Sequence, residues 1–494
     1  MHSKYKEAID LHKSGQLNKA NDICLEILKE EPKNFDILHL LGIIAFQNKI
    51  YKTSVNFLNE ALNINSTSVD ALNNLATVLK KLNKFEDALK ILDKAIKIKP
   101  NFAQGYNNRG HILVELNQLN AALDSYNQVI KIQPNYAEAY NNRGNVFNKL
   151  DKLNDSLENY NQAIKIKPNF AEAYYNRGIV QKDLKIYEDA QQSYKKAIKI
   201  KPNLDFLLGS LIYTNLHLCS WKSFDENIKN LEDKIIKGHK VLTPFTSLLI
   251  YDSPSIQKKV SEIFVKAKYQ PESKIKPISK IQSQKKIRIG YYSADYHNHA
   301  TSYLISHLFE LHDKENFELV GFSFGPNEND EMRNRISSTF NQFYDVKLKS
   351  DKEIVQLSRD LKIDIAVDLM GFTTYNRFEI FVGRCAPIQV NYLGFAGTVG
   401  TNCIDYLISD KVLIPKDSQK YYSGKLIYLP HTYQINDSTK KISNKIYTRE
   451  QFGLPNDAFV FCCFNKHYKF TPGMFNVWMK LLKKINGSVL WMLE

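Results

Sequence analysis

Six cysteines in 494 residues, with no Cys-x-x-Cys pair and no even spacing framework, exclude a disulfide-stapled scaffold. Cys24, Cys219, Cys385, Cys403, Cys462 and Cys463 read as reduced, mostly buried thiols. No apolar run approaches the roughly 20 residues needed to span a bilayer. The opening Met1-His-Ser-Lys-Tyr-Lys-Glu also lacks the apolar core of a signal peptide. The expectation is a soluble, cytoplasmic protein with no membrane partner. There is no Walker A loop and no Gly-x-Gly-x-x-Gly at a strand–helix junction, which argues against nucleotide hydrolysis and hydride transfer. Acidic residues are the scarcer sign, 52 against 67 Lys and Arg, for a net charge of +15. Much of that surplus is Lys in the phrase IKIKP near helix ends, where cations suit the negative end of the helix dipole. A nucleic-acid partner is not expected.

What the first 200 residues do have is a beat. Pro32, Pro100, Pro134, Pro168 and Pro202 recur at one register, with Ser66 in the missing slot. Small residues keep the same step at Ala20, Ser54, Ala88, Ala122, Ser156 and Ala190, and again at Gly42, Ala76, Gly110, Gly144 and Gly178. A period of about 34 residues marks tetratricopeptide repeats, helix pairs that stack into a superhelix with a concave groove for another chain. Residues 1–202 hold six such units. Asn74, Asn108, Asn142 and Asn176 also recur in register. Asn is a poor helix former, yet its amide can donate to and accept from a peptide backbone. A row of them suits an extended acceptor polypeptide; the alternative is that they satisfy one another between helices.

Helical pattern continues through 203–270 as a cap or bridge, and the polar, proline-bearing stretch 271–286 reads as a linker. From Ile287 short β-rich runs alternate with helices, predicting an α/β Rossmann-like lobe with a mainly parallel sheet over 287–440. Predicted strands are Ile287–Ser293, Phe317–Phe324, Ile363–Leu369, Ile388–Gly394, Tyr406–Ser409 and Leu426–Leu429, with helices at Ser302–His312 and Lys352–Lys362. A second lobe starts within 441–494 as strand Phe459–Phe464, helix Pro472–Ile485 and strand Ser488–Leu493. The fold class expected is thus an α-solenoid followed by a two-lobed α/β region whose second lobe is incomplete.

Three loops carry candidate chemistry. The first follows the first strand, where open parallel sheets place ligands, and holds His297 and His299. One of these could transfer protons near neutral pH; a His-x-His metal pair lacks further ligands at a recognisable spacing, and a surface role stays open. The second holds Gly394, Gly397 and Gly400, whose backbone amides could approach a phosphate, although turns use glycine freely. The third, Phe464-Asn-Lys-His-Tyr-Lys-Phe-Thr-Pro472, puts Lys466 and Lys469 at a strand–helix mouth, where a cation can offset charge on a leaving group. Solvated surface lysines are the bland alternative. No Asp-x-Asp metal–diphosphate clamp occurs, so no metal or other cofactor is expected.

Six phrases in order join these pieces: KIRIGYYSADYHNHATSYL (286–304), DIAVDLMGFT (364–373), RCAPIQVNYLGFAGTVG (384–400), DYLISD (405–410), LPHTYQIND (429–437) and FNKHYKFTP (464–472). With the repeats, they resemble the protein O-linked N-acetylglucosamine transferases and their Spindly-type relatives, a repeat array fused to a metal-independent, two-lobed (GT-B) glycosyltransferase. The resemblance implies inverting transfer of N-acetylglucosamine from UDP-N-acetylglucosamine to Ser or Thr hydroxyls of acceptor proteins. It places His299 on the family's active-site histidine and Lys469 on its diphosphate-binding lysine. Lys466 stands where many relatives have Gln, and Arg384-Cys-Ala-Pro387 and Phe395-Ala-Gly-Thr398 where they have Arg-Pro-Ala-Pro and Tyr-Pro-Gly-Thr. Family members continue past the position of Glu494, so the resemblance also implies a partial donor site and little activity for 494 residues alone. The alternatives are a catalytically incomplete repeat scaffold that binds proteins, and a protein O-fucosyltransferase of the Spindly type.

Overall fold

The repeat period becomes helix pairs because each unit punctuates itself. Among the described residues the pairs are α1 (His2–Lys13) with α2 (Leu17–Glu30), α3 (Phe35–Gln47) with α4 (Tyr51–Ile64), and α5 (Val69–Lys81) with α6 (Phe85–Ile98). Three more follow: α7 (Ala103–Glu115) with α8 (Leu119–Ile132), α9 (Ala137–Lys149) with α10 (Leu153–Ile166), and α11 (Ala171–Asp183) with α12 (Tyr187–Ile200). Each recurring Pro stands two residues beyond a second helix, which it cannot continue. The computed structural model describes residues 2–269, 278, 285–326 and 329–493. They fall into two units, Met1–Pro202 and Asn203–Glu494. The linker expected at 271–286 lies, apart from 278, 285 and 286, outside the described residues.

Close approach within a pair depends on the small positions. A Cβ on Gly144 would stand 2.7 Å from the Tyr160 ring, and Gly110 and Gly178 meet Tyr126 and Tyr194 in the same way. The three tyrosines are buried. In the third repeat Ala76 and Leu92, both buried, stand at these two positions instead. Gly144→Ala is therefore expected to lower stability by about 1–3 kcal/mol through overpacking, despite alanine's better helix propensity. The double change Gly144→Ala with Tyr160→Leu should recover part of the loss. Melting curves of the two variants check this; equal Tm values would refute it.

The second unit begins with α13 (Leu207–His217), α14 (Phe224–Ile236), α15 (Pro244–Ile250) and α16 (Pro254–Lys268). An open sheet follows: β1 (Ile287–Ser293), α17 (Ala300–Leu311), β2 (Phe317–Ser323), α18 (Glu331–Ser337), β3 (Gln342–Asp345), α19 (Asp351–Asp360) and β4 (Ile365–Asp368). The sheet closes with α20 (Glu379–Val382), β5 (Ile388–Asn391), β6 (Tyr406–Ser409) and β7 (Lys425–Tyr428). The order is β3-β2-β1-β4-β5-β6-β7, and every pairing is parallel. Strand direction of travel reverses between β1 and β4, so the crevice at their carboxyl ends is the topological switch point. One sheet face packs Tyr292, Phe322 and Phe381; the other packs Ile305, Phe309 and Phe340. A separate parallel pair, β8 (Val460–Cys463) and β9 (Val489–Met492), flanks α21 (Pro472–Lys484).

Three details differ from the sequence expectations. Gln342–Asp345 forms an edge strand that was not expected, because its half-exposed residues carry little apolar alternation. Several strands are shorter than their apolar runs, ending where the side chains turn to loop hydrogen bonds. Tyr269, near the end of the predicted bridge and just before the linker, stacks on Phe372 (6.5 Å, 14°) and packs on Phe378 rather than only capping the repeats. Phe264 of α16 joins the same cluster (5.4 Å from Phe372), so the bridge helices share the α/β core.

Candidate functional site

The loop after β1 is built around one carboxylate. Ser293 Oγ accepts the Asp295 amide at 2.9 Å, Ser302 Oγ donates to the Asp295 carbonyl, and Thr301 Oγ1 donates to Asp295 Oδ2 at 3.1 Å. The loop is also pinned from outside. Asp330 Oδ2 accepts the Asn298 amide at 2.7 Å, and buried Arg333 donates to the Tyr296 carbonyl, Ser323 Oγ and Asp345. His299 is the N-cap of α17. Its Nδ1 lies 3.3 Å from the Thr301 amide and 3.3 Å from Asp295 Oδ2.

Those two contacts belong to different states of the ring. When Nδ1 accepts the amide, Nε2 carries the proton; when Nδ1–H faces Asp295, Nε2 keeps its lone pair and becomes a base. Burial raises the Asp295 carboxyl above the usual range, with His299, Thr301 and His297 pulling the other way. The Asp295 carboxyl and the His299 imidazole face each other across 3.3 Å. His297 lies 5.6 Å from His299, ring to ring, on the same loop. Asp295 lies in the same loop of the sequence, but its turn back onto His299 is set only by the fold.

Beneath this loop, β4 and β5 end in Asp368 and Asn391, both buried. Asp368 accepts the Met370 and Gly371 amides at 2.9 and 3.0 Å and Asn391 Nδ2 at 3.3 Å. Burial nevertheless pushes its carboxyl up to about 6. Asn391 Oδ1 is buried with no hydrogen-bond partner among the described residues.

The glycine loop has a packing explanation. A Cβ on Gly394 would run into the Leu369 carbonyl, and one on Gly400 would meet the backbone of Ser261 and Glu262 in α16 at 2.6 Å. Gly397 is held close to the Phe395 ring and Leu248. These glycines are where backbone meets backbone and ring, so their presence needs no phosphate.

Lys466 and Lys469 bracket a single 3-10 turn, His467–Lys469, between β8 and α21. The Lys469 amide donates to the Lys466 carbonyl at 3.0 Å, while both side chains are exposed. Thr471 Oγ1 caps α21 and Pro472 opens it, so the positive end of a 13-residue helix faces the same loop. Among the described residues, no hydrogen bond, ion pair or ring contact joins this loop to Asp295 or His299.

The repeat asparagines bond to one another. Asn108 Nδ2 donates to Asn73 Oδ1 (2.7 Å), Asn142 to Asn107 (3.2 Å) and Asn176 to Asn141 (3.0 Å), each one repeat back. Asn74 contacts His39 Nε2 at 2.9 Å, and Asn142 and Asn176 spend their second hydrogens on His111 and Asn145. The donors are therefore engaged inside the array, and the half-buried amide oxygens of Asn74, Asn108 and Asn176 are the groups left to accept. The second row, Asn73, Asn107 and Asn141, was missed because its role is visible only across repeats.

Residues 256–447 and 440–494 match the model described as glycosyl transferase family 41. Tetratricopeptide models match 110–151 and 144–185, and 69–102 and 171–204. The family 41 match thus takes in residues 256–494, and the tetratricopeptide matches precede it. Over 223 residues the chain is 40% identical to the probable UDP-N-acetylglucosamine–peptide N-acetylglucosaminyltransferase SEC of Arabidopsis thaliana, covering 44% of this chain and 23% of that protein. Over 404 residues it is 27% identical to the UDP-N-acetylglucosamine–peptide N-acetylglucosaminyltransferase of Caenorhabditis elegans, covering 56% and 35%. A solved Thermobaculum terrenum O-GlcNAc transferase mutant aligns with TM-score 0.47 at 21% identity, covering 79% of this chain and 68% of that one. The matched stretches span about a quarter to a third of the two curated relatives' own lengths. No helix among the described residues is long and apolar enough to cross a membrane.

Proposed function

We propose that this chain acts in transfer of N-acetylglucosamine from UDP-N-acetylglucosamine to Ser or Thr hydroxyls of polypeptides. The observation that carries the reading is the Asp295–His299 pair at the switch point of a parallel sheet, in one unit with a lysine-bearing strand–helix loop. The activity for which the two relatives are named supports it.

The chemistry follows from the groups. The acceptor oxygen attacks the anomeric carbon from the face opposite the phosphate, inverting the centre. The anomeric carbon–oxygen bond to the β-phosphate breaks, and its electron pair leaves with UDP. The hydroxyl proton passes to His299 Nε2 when Nδ1–H is held by Asp295, a step of the kind that contributes about 10²–10⁴-fold. Lys469, aided by Lys466 and the end of α21, matches the charge growing on the diphosphate. The amide oxygens of Asn74, Asn108 and Asn176 accept N–H groups of the extended acceptor, independent of its side chains, while Asn142, whose oxygen meets Asn141, holds the row in register.

Calorimetric titration of UDP and UDP-N-acetylglucosamine, with intact-mass analysis of an acceptor polypeptide, tests the reading. Saturable UDP binding is expected, and the small mass gain in the acceptor should come in single-sugar steps. Absence of both, with peptide binding retained, would instead favour the repeat-scaffold reading.

A further inference from the structure

We infer that helix α13 positions the lysine loop: Tyr213 and His217 form an aromatic seat for Tyr468, and through it set where Lys466 and Lys469 stand. The inference rests on the reading of Lys469 as the donor-diphosphate ligand and adds the element that aims it.

The loop has little else to hold it. Lys466, His467 and Lys469 are exposed, and α21 contributes no buried side chain. Within Phe464–Thr471 only Phe470 is buried, and it packs on Trp478 of the helix that follows. The rings of the turn itself are Tyr468 and His467, and the neighbours of Tyr468 come from α13. Its centroid lies 4.6 Å from His217, at 33°, and 5.9 Å from Tyr213. His467 meets the same His217 ring edge-on at 5.6 Å, and Tyr213 and His217 brace each other at 4.7 Å. Just past the end of α13, Trp221 in the connection to α14 packs on Phe475 of α21 at 5.4 Å, so the helix after the loop rests on the segment that follows α13.

Consecutive residues of a 3-10 turn point their side chains about a third of a circle apart. Locking Tyr468 therefore also fixes the directions of its neighbours His467 and Lys469. A lysine is a flexible point charge, so its contribution to a diphosphate depends on how little of its backbone must be ordered on binding. The seat supplies that order beforehand. Tyr213 and His217 are positioning residues: they touch the loop, not the donor.

The experiment uses the full chain with UDP as the probe, and hydrogen exchange of the 464–471 amides as a second readout. His217→Ala is expected to weaken UDP binding about 5–10-fold, the size of one or two lost aromatic contacts. It should also speed exchange in 464–471 while leaving the β1 and β4 amides unchanged. His217→Phe, which keeps a ring in place, should restore both. If wild type binds UDP, Lys469→Ala loses it, and His217→Ala matches wild type in affinity and exchange, the seat is wrong and the function stands. Failure of His217→Phe to restore either readout also overturns the ring-packing argument. If wild type shows no UDP binding, or Lys469→Ala binds equally well, the donor reading itself fails. Faster exchange in His217→Ala would then still report the seat, without its proposed use.

Discussion

Lys469→Ala is expected to lower sugar transfer about 10²–10³-fold, the largest effect of any single change considered for this chain. The reason is where the charge appears. In the ground state the diphosphate already carries negative charge, and water, Lys466 and the N-terminus of α21 can share it. As the bond to the anomeric carbon breaks, additional charge gathers on the β-phosphate oxygen, and a cation placed there acts mainly on the transition state. The loss should therefore fall chiefly on kcat, with a smaller rise in the KM for the donor. Lys469→Arg should recover little, because a planar fork does not occupy the place of a compact ammonium. Equal losses in kcat for Lys466→Ala and Lys469→Ala would sink the distinction drawn between the two. Unchanged kcat in Lys469→Ala would sink the catalytic role altogether.

Asp368→Asn is expected to stabilise the protein at pH 7.5 by up to about 3 kcal/mol and to leave it nearly unchanged at pH 4. Burial raises the folded carboxyl to about 6 from an ordinary 3.8, so the fold favours the neutral acid. That contribution is complete below about pH 4 and is lost as pH rises through about 6. Above it the ionised group costs the fold about 3 kcal/mol relative to an uncharged one, at about 1.4 kcal/mol per pH unit. The substituted amide keeps the geometry. Its oxygen can accept the Met370 and Gly371 amides, and its NH₂ can meet Asn391 Oδ1, which lacks a partner at present, once the Asn391 amide turns over. Melting temperatures of both proteins from pH 4 to 8 decide the matter. Parallel curves would mean that Asp368 is not the titrating group.

Periodic and local features were legible in the sequence. The proline and glycine register specified six helix pairs, because each pair needs one close approach and one stop, and both are written in single residue types. The alternation after Ile287 pointed to a parallel sheet, since a helix between two strands gives the chain the crossover it needs to run back in the same direction. It also located the loops at β1 and β8, and with them His299, Lys466 and Lys469. The edge strand Gln342–Asp345 was not legible, because a half-exposed edge needs no apolar pattern.

Tertiary packing decided what those groups meet. It brought Asp295 onto His299 and gave the glycines of 394–400 a packing role against Leu369 and α16. It turned the asparagine donors inward onto Asn73, Asn107 and Asn141, and it set Tyr468 on Tyr213 and His217. Such contacts join segments far apart in the chain, or equivalent residues one repeat away. Sequence periodicity records which face of an element is buried; the identity of the group buried against it is set only when the elements pack.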